Sequence, residues 1–357
     1  MNTASVDIDS FLHRAKNAPI LDVRSPAEYA HAHIPGAISF PLFSDEERKL
    51  VGTAYKQESR EKAIRIGLDF FGVKMRSMVE AAEKIVTTYG AEKANAEKNT
   101  LLIHCWRGGM RSAAVAWLLQ LYGFQVIVLQ GGYKTYRHWV LQQFEKKYPL
   151  KVLGGNTGSG KTVLLHALES RGQLVIDLEG LAHHKGSAFG NLGMPAQPTQ
   201  EMFENKLGMA LHNASQMLMQ DNEAQQAIWM EDESQRIGDV NIPMIFLKQM
   251  LAAPLYLLEI PFEERLNHIV AEYGQQDRER MVNAILRIKK RLGGLEAKNA
   301  IHALIEENIP ESFRILLRYY DKQYQKAFEK RSGDAASVES IACEKVHASN
   351  AIKLLQF

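Results

Sequence analysis

Short apolar runs alternate along the chain with longer segments in which apolar residues recur every three or four positions. Each short run is bounded by turn-forming residues, which predicts a buried strand. Strands are predicted in this way at residues 19–24, 37–40, 100–104, 126–129, 151–153, 174–177, 227–230 and 255–258. Helices are predicted at residues 8–15, 44–66, 77–89, 112–121, 161–171 and 202–219, and over most of the chain from Phe262 onward. Strands that alternate with helices predict α/β folds with parallel sheets.

The pattern changes near Pro149, where a basic segment ends and a new series of strands begins. We therefore predict two domains, residues 1–146 and residues 147–357. The first is expected to be a parallel sheet with flanking helices. The second is expected to be an α/β domain whose C-terminal part is helical.

The composition is that of an ordinary globular protein, because 46% of the 357 residues are hydrophobic and 24% are charged. The two cysteines, Cys105 and Cys343, are too few for a disulfide framework and favour a reducing compartment. The first residues lack the basic start and apolar block of a signal peptide. The most apolar stretch, 242–260, is interrupted by polar residues and prolines, so no membrane span is predicted there. We expect a cytoplasmic protein.

Positive charge is concentrated in the first part of the chain, although the formal net charge is only +2. The first 150 residues hold 20 Lys and Arg against 15 Asp and Glu, and the remainder holds 23 against 26. This asymmetry is compatible with a polyanionic partner without requiring one. One segment interleaves aromatic and basic side chains, which can stack on unpaired bases and neutralise phosphates. We therefore predict RNA contacts at Tyr133, Lys134, Tyr136 and Arg137.

Cys105 directly follows a predicted strand and precedes a glycine-containing loop and a helix. In that arrangement, loop amides and the helix N-terminus point toward the sulfur and favour the thiolate. Arg107 and Arg111 add positive charge, so these three residues are the candidate catalytic set. The alternative interpretation is that Cys105 is a small buried residue at a strand end.

The first part of the chain, about residues 9–145, resembles the rhodanese family. The resemblance rests on the cysteine loop, on 21–29 (LDVRSPAEY) and on 33–37 (HIPGA). It implies a nucleophilic, persulfide-type Cys105, and it implies that Asp22 and Arg24 are structural. Five residues separate Cys105 from Arg111, whereas rhodaneses usually have four. The longer spacing resembles the cell-cycle and protein tyrosine phosphatases, so a cysteine-dependent phosphatase with an appended nucleotide-binding domain remains an alternative to a transferase with a phosphate-bearing donor.

A second glycine-rich loop fits the pattern G-x-x-x-x-G-K-[ST] between a predicted strand and a predicted helix. Its residues are Gly155, Asn156, Thr157, Gly158, Ser159, Gly160, Lys161 and Thr162. The backbone amides and Lys161 are expected to hold a diphosphate or triphosphate, and Thr162 a magnesium ion if one accompanies it. This motif predicts a P-loop NTPase-like domain.

Acidic residues that follow the next predicted strands are further candidates for this phosphate site. The cluster of Glu231, Asp232 and Glu233 is one candidate, and Asp177 with Glu179 is the alternative. From these clusters we select Asp177 and Glu231, although a solvated acidic strand end explains such clusters almost as well. The adjacent His183 and His184 lack the spacing of metal ligands, so no protein metal site is predicted.

The order of these motifs over nearly the full chain resembles the family of tRNA 2-selenouridine synthases. The resemblance also includes 177–183 (DLEGLAH) and 231–234 (EDES). It implies action on wobble 2-thiouridine in the tRNAs for Lys, Glu and Gln. It implies geranylation of the sulfur by geranyl diphosphate, followed by exchange of the geranylated sulfur for selenium from selenophosphate. A selenium-loaded Cys105 is then expected to deliver the selenium, and the P-loop to hold the diphosphate of geranyl diphosphate. A non-catalytic protein that uses the P-loop as a nucleotide switch remains a third interpretation.

The sequence does not identify the apolar slot that a geranyl chain needs. Several residues are candidates by composition alone, but methionines at helical spacing more often belong to a core. These residues are Met217, Met219, Met244, Phe246 and Met250.

Overall fold

The computed structural model describes residues 4–220, 226–331 and 335–357. The chain divides into two compact units, Met1–Gln142 and Gln143–Phe357. Each unit contains a parallel sheet with helices packed around it. This confirms the α/β fold class predicted from the alternation of strands and helices.

The first unit begins with a short strand and continues through the segments that the pattern predicts. Its strands are β1 (Ala4–Val6), β2 (Ile20–Asp22), β3 (Ile38–Ser39), β4 (Thr100–His104) and β5 (Gln125–Leu129). Its helices are α1 (Ile8–Arg14), α2 (Pro26–His31), α3 (Asp45–Gln57), α4 (Arg60–Gly72), α5 (Met75–Glu92), α6 (Met110–Tyr122) and α7 (Gly132–Gln143), the last of which reaches the boundary. Within the described residues, the sheet order is β1-β5-β4-β2-β3.

The central strand β4 is buried along its whole length and carries the cysteine loop at its carboxyl end. Leu101 and Ile103 lie on one face of the sheet and pack with the apolar face of β5 and with α5 and α6. Strand β4 is flanked by β5 and β2, all parallel. Cys105 therefore lies at the edge of the sheet where the carboxyl ends of the strands meet, which is the usual location of α/β active sites.

The segment that was predicted as one helix, residues 44–66, is two helices that pack against each other. Helix α3 ends at Gln57, and α4 starts at Arg60. The break has a local cause, because the Ser59 side chain accepts a hydrogen bond from the Lys62 amide and caps α4.

The second unit has a parallel sheet of order β12-β11-β6-β8-β7 within the described residues. Its strands are β6 (Leu150–Gly155), β7 (Leu174–Ile176), β8 (Ile228–Glu231), β9 (Arg236–Ile237), β10 (Val240–Asn241), β11 (Leu255–Glu259) and β12 (Val338–Ala342). Its helices are α8 (Lys161–Glu169), α9 (Leu178–Ala182), α10 (Gln200–Gln220), α11 (Met244–Ala252), α12 (Phe262–Tyr273), α13 (Arg278–Leu292), α14 (Gly294–Ile305), α15 (Ile309–Arg331) and α16 (Ala351–Leu354). Strands β9 and β10 form a separate antiparallel pair.

The C-terminal part is helical, as predicted, with one exception. Strand β12 returns after the long helix α15 and pairs with β11 at the edge of the sheet. Helices α12 to α15 form a second apolar core, which includes Ile269, Met281 and Phe313 and also Phe189 and Leu192 from the 180–200 loop. In the parts of the chain that the structure describes, no helix is both long and apolar enough to cross a membrane.

Candidate active sites

Cys105 lies at the start of a loop that is held by backbone hydrogen bonds to the first turn of α7. The Tyr133 amide donates to the Cys105 carbonyl at 2.8 Å, and the Lys134 amide donates to the Trp106 carbonyl at 3.0 Å. Gly132 makes this approach possible, because a Cβ atom there would lie 2.3 Å from the Cys105 carbonyl oxygen. Its φ of 61° also lies in the left-handed region that favours glycine.

The sulfur of Cys105 is surrounded by hydrogen-bond donors although its side chain is only 3% exposed. Its Sγ atom lies 3.3 Å from Ser112 Oγ. Burial raises the pKa of Cys105, but the net pKa is below the usual value. The hydrogen bonds of the Ser112 side chain and of the Ser112 and Arg107 amides, together with the charge of Arg111, outweigh the burial. The site therefore favours the nucleophilic thiolate.

The two loop arginines differ in their surroundings. Arg107 is exposed and lines the cavity at Cys105. Arg111 Nη1 donates to Glu28 Oε2 at 2.7 Å. Burial raises the pKa of Glu28, but Arg111 brings it below the ordinary value, so this ion pair is maintained at neutral pH. Arg111 thus adds positive charge at the cysteine while its own charge is partly compensated.

A cavity of about 590 Å³ opens onto Cys105. Its walls are the residues after β3, helices α3 and α4, the cysteine loop and the start of α6. Most of the lining side chains are aliphatic or aromatic, and the charged ones are all cations. The lining includes Leu42, Phe43, Val51, Tyr55, Ile64, Leu68, Phe71, Trp106 and Met110, with the cations Arg48, Lys56, Arg107 and Arg111.

Asp22 and Arg24 form a buried ion pair behind the loop, and the rhodanese resemblance implies a structural role for both residues. Arg24 Nη2 donates to Asp22 Oδ2 at 2.6 Å and to the Ala32 carbonyl at 2.7 Å. The Arg24 guanidinium also lies 3.8 Å from the centre of the Tyr133 ring. Burial lowers the pKa of the neighbouring His104 to about 4, so this imidazole is neutral at physiological pH.

The predicted RNA-stacking role of Tyr133 and Tyr136 is wrong, because both rings are fully buried. The segment is the helix α7, and residues three apart share a face, so both tyrosines point into the unit. Tyr136 packs against Tyr133 and Trp139 there. Lys134 is exposed and Arg137 is half-buried, so the RNA contacts predicted for these two residues stay a prediction.

The second glycine-rich loop joins β6 to α8, in the strand–loop–helix context that the motif requires. The Ser159 amide donates to the Asn156 carbonyl at 3.1 Å, and Lys161 Nζ donates to the Gly155 carbonyl at 3.0 Å. Gly158 has a φ of 80°, and a Cβ atom there would lie 2.9 Å from the Arg265 carbonyl oxygen. The loop is thus tightly packed against α12 at Gly158.

Helices α12 and α15 hold this loop in place through residues that the sequence analysis did not find. Arg265 Nη1 donates to the Thr157 carbonyl at 3.1 Å and to Asp321 Oδ1 at 2.8 Å. The Gly155 amide donates to the hydroxyl of Tyr324 at 2.8 Å. The contacts with Thr157 and Gly155 join residues more than a hundred positions apart, and the Arg265–Asp321 contact joins residues 56 positions apart, so no local sequence signal reveals them.

The acidic residues that face the P-loop are neighbours of those selected from the sequence. Thr162 Oγ1 donates to Glu179 Oε2 at 2.9 Å, and Glu179 and Glu233 line the cavity beside the loop. Asp177 instead accepts from the Gly180 amide at 2.6 Å and caps α9. Glu231 is fully buried and accepts from the Leu178 amide at 2.9 Å. Neither Asp177 nor Glu231 is among the residues that line the cavity.

Burial dominates the protonation of the two cavity-lining glutamates. It raises the pKa of Glu233 to about 8, and the negative charge of Glu179 acts in the same direction. Burial also raises the pKa of Glu179, although Lys161 and Thr162 oppose the shift. Among the residues that the structure describes, no group of three or more His, Cys, Asp and Glu is placed to hold a metal ion.

The cavity beside the P-loop has a volume of about 540 Å³ and combines two kinds of lining. One part consists of the P-loop residues with the polar side chains around them. The other part consists of apolar and aromatic side chains from the 180–200 loop and from α12 and α15. These side chains are Phe189, Ile269, Tyr273, Phe313, Leu316, Leu317 and Tyr320.

Comparison with known proteins covers both units. Residues 7–138 match the model of the rhodanese-like domain, and residues 148–349 match the model of the tRNA 2-selenouridine synthase AAA domain. The tRNA 2-selenouridine synthase of Sulfurovum sp. (strain NBC37-1) is 33% identical over 92% of this chain and 95% of the relative. That of Hydrogenovibrio crunogenus is 34% identical over 88% of this chain and 91% of the relative. The chain therefore belongs to the tRNA 2-selenouridine synthase family.

Proposed function

We propose that this chain is a tRNA-modifying enzyme that converts 2-thiouridine at the wobble position to 2-selenouridine in the tRNAs for Lys, Glu and Gln. The names of its relatives support the modification of tRNA with selenium. The two-step route, through geranylation by geranyl diphosphate and exchange with selenophosphate, is our proposal for the chemistry. The observation that carries it is the P-loop cavity, because a phosphate cradle adjoins an apolar wall, as a prenyl diphosphate requires.

In the first step, the P-loop unit holds geranyl diphosphate with its diphosphate on the loop and its prenyl chain against the apolar wall. The sulfur of 2-thiouridine attacks the first carbon of the geranyl group. A carbon–sulfur bond forms, the carbon–oxygen bond breaks, and the diphosphate leaves with the electron pair. The loop amides and Lys161 stabilise the leaving diphosphate. The N3 proton, which becomes acidic when the sulfur is alkylated, is lost to solvent. Glu233, whose pKa is raised to about 8, is mainly protonated near neutral pH and can donate its proton to the departing diphosphate.

A magnesium ion, if one accompanies the diphosphate, fits the pair formed by the Thr162 hydroxyl and the Glu179 carboxylate. Both groups are oxygen ligands, which magnesium prefers. The proposed alkylation is complete without it, since departure of the diphosphate requires only charge stabilisation.

In the second step, the thiolate of Cys105 attacks C2 of the geranylated base, and the geranyl thiolate leaves with its electron pair. The selenium of selenophosphate then attacks C2, and the Cys105 thiolate leaves. Hydrolysis of the phosphorus–selenium bond releases phosphate and completes the carbon–selenium double bond. Selenium enters and remains at the selenide level, so the sequence of bonds balances without an oxidant or reductant. A selenium-loaded Cys105, as expected from the sequence resemblance, would need two further electrons to release its selenium, and we therefore prefer direct substitution.

Two variants separate the steps in an assay with tRNA, radiolabelled geranyl diphosphate and selenophosphate. Lys161→Ala is expected to abolish geranylation, and the exposed Lys147→Ala is the matched control. Cys105→Ser is expected to accumulate geranylated tRNA without selenouridine, and Cys343→Ser, at the other buried cysteine, is its control. Nucleoside mass spectrometry reads both products. Full geranylation by Lys161→Ala, or selenouridine formation by Cys105→Ser, would contradict the assigned roles.

A further inference from the structure

The cavity at Cys105 has more apolar lining than the exchange of one polar atom requires. Helix α3 contributes Val51 and Tyr55, and helix α4 contributes Ile64, Leu68 and Phe71. A thiolated base, selenophosphate and a ribose-phosphate backbone are all polar. A base can stack on the aromatic residues of the wall, but none of these groups would gain from its aliphatic residues Val51, Ile64 and Leu68.

Several large apolar side chains at this cavity are also strongly exposed. Leu68 is 59% exposed, Tyr55 53%, Met110 48% and Trp106 39%. Scattered single exposed apolar residues are common, but a group that shares one cavity marks a binding surface. This surface adjoins Cys105. A ligand bound there must therefore be attached to the group that the Cys105 thiolate attacks.

We propose that this cavity binds the ten-carbon geranyl chain on the sulfur of the substrate base, and so presents C2 of the geranylated base to Cys105. The inference rests on the proposed function, and it assigns the apolar residues of α3 and α4 as the determinants of substrate choice in the selenation step. It also separates two prenyl sites, one for the diphosphate donor at the P-loop and one for the geranylated base at Cys105.

The charges of the cavity suit a prenyl group that is carried by RNA. Arg48, Lys56, Arg107 and Arg111 line it, and no acidic side chain does so among the residues that the structure describes. Phosphates of the anticodon strand are attracted by these cations, while the apolar wall takes the chain. A free fatty acid would offer these four cations a single carboxylate, and an apolar peptide would offer them none.

The assigned role has a consequence for the order of the two steps. A cavity that gains affinity from the prenyl chain binds the geranylated base more tightly than unmodified 2-thiouridine. Cys105 then attacks C2 only after geranylation has turned the sulfur of the base into a good leaving group. The same residues therefore provide both affinity for the intermediate and protection of the unmodified base.

The test measures binding of anticodon stem-loop RNAs that carry S-geranyl-, S-methyl- or unmodified 2-thiouridine. It uses the full chain with Cys105→Ser, which prevents turnover. Because each buried methylene increases affinity about fourfold, the S-geranyl RNA is expected to bind at least about 50-fold more tightly than the S-methyl RNA. Leu68→Glu places a carboxylate in the cavity and is expected to reduce this preference about tenfold.

Leu50→Glu is the matched control, because Leu50 is 56% exposed on α3 and does not line the cavity. It should leave the preference unchanged. Equal binding of the S-geranyl and S-methyl RNAs, or equal effects of Leu50→Glu and Leu68→Glu, would overturn the inference.

A separate reaction distinguishes this inference from the proposed function. The chain with native Cys105 is incubated with S-geranyl RNA and selenophosphate, and selenouridine is measured. If selenouridine forms with the same KM in Leu68→Glu and Leu50→Glu, the cavity assignment fails while the proposed selenation stands. If the chain with native Cys105 forms no selenouridine although the prenyl preference is present, the proposed function fails and the binding assignment stands.

Discussion

Replacing Ser112 with alanine should raise the pKa of Cys105, because the serine hydroxyl is the nearest side-chain donor to the sulfur. Ser112 Oγ lies 3.3 Å from Sγ and also donates to the Gly109 carbonyl at 3.0 Å. A hydroxyl has only one proton, so it cannot donate to both at once. In the thiol form, the S–H group donates to Ser112 and Ser112 donates to Gly109. In the thiolate form, the hydroxyl turns to the sulfur and leaves the Gly109 carbonyl.

This exchange of partners determines the size of the effect. A hydrogen bond to a charged group contributes about 1.5–3 kcal/mol, and the neutral pair that is given up contributes about 1 kcal/mol. The difference is roughly 0.5–2 kcal/mol, so the pKa should rise by about one unit in Ser112→Ala. The Arg107 and Ser112 amides and the charge of Arg111 remain, and the thiolate is therefore weakened but not abolished.

The assay is the pH dependence of alkylation by iodoacetamide, followed by mass spectrometry of the two cysteine peptides. The midpoint for Cys105 is expected below the ordinary thiol value of about 8.5 and about one unit higher in Ser112→Ala. Burial raises the pKa of Cys343, which provides an internal control in each sample. Ser112→Thr keeps the hydroxyl and should restore the midpoint. An unchanged midpoint in Ser112→Ala would refute the assignment of the hydroxyl as a thiolate donor.

Three further predictions concern stability. Burial lowers the pKa of His104 to about 4 from about 6.5 in the unfolded chain. The free energy of unfolding should therefore fall by up to about 3 kcal/mol as the pH is lowered from 6.5 toward 4, because the unfolded chain takes up a proton there that the folded chain does not. Urea unfolding at several pH values should show this loss in the native chain and less of it in His104→Phe. Arg265→Met leaves Asp321 without its ion-pair partner and should lower the free energy of unfolding by about 3 kcal/mol, whereas Arg314→Ala, at an exposed pair, should have a much smaller effect in the same measurement. Gly132→Ala would place a Cβ atom 2.3 Å from the Cys105 carbonyl and should lower the thermal midpoint clearly more than Gly123→Ala, where the added Cβ meets no atom within 4 Å; equal shifts would contradict the close approach.

The features that the sequence predicts well depend on neighbouring residues along the chain. Strand β4 and the loop after it were predicted because a continuous apolar run ends directly at Cys105. The P-loop was predicted because its glycines and Lys161 form one short motif. Interleaved aromatic and basic residues misled the prediction at Tyr133 and Tyr136, because the helical period that buries both rings was not recognised.

The features that the sequence does not predict depend on long-range packing. Glu179 and Glu233 face the P-loop. In the same two segments, Asp177 caps α9 and Glu231 is buried against the Leu178 amide. The backbone path at the end of each strand decides which acid faces the cavity. The residue types alone do not show this, because each segment contains more than one acid. The apolar wall at Cys105 is missed for a similar reason. Helices α3 and α4 have an ordinary amphipathic pattern, and only the folded unit shows that part of their apolar surface remains uncovered.

The lining of the same cavity favours the proposed selenium exchange over the phosphatase alternative that the spacing of Cys105 and Arg111 suggests. Hydrolysis of a phosphate monoester needs an acid to protonate the departing alkoxide. No carboxyl or imidazole group lines the cavity among the described residues, and the nearest carboxylate partner of the loop, Glu28, is held ionised by Arg111. A geranyl thiolate needs no such acid, because a thiolate is a much weaker base than an alkoxide. The lining therefore favours a substrate whose leaving group is apolar and departs as an anion, which is the geranylated sulfur rather than an alcohol.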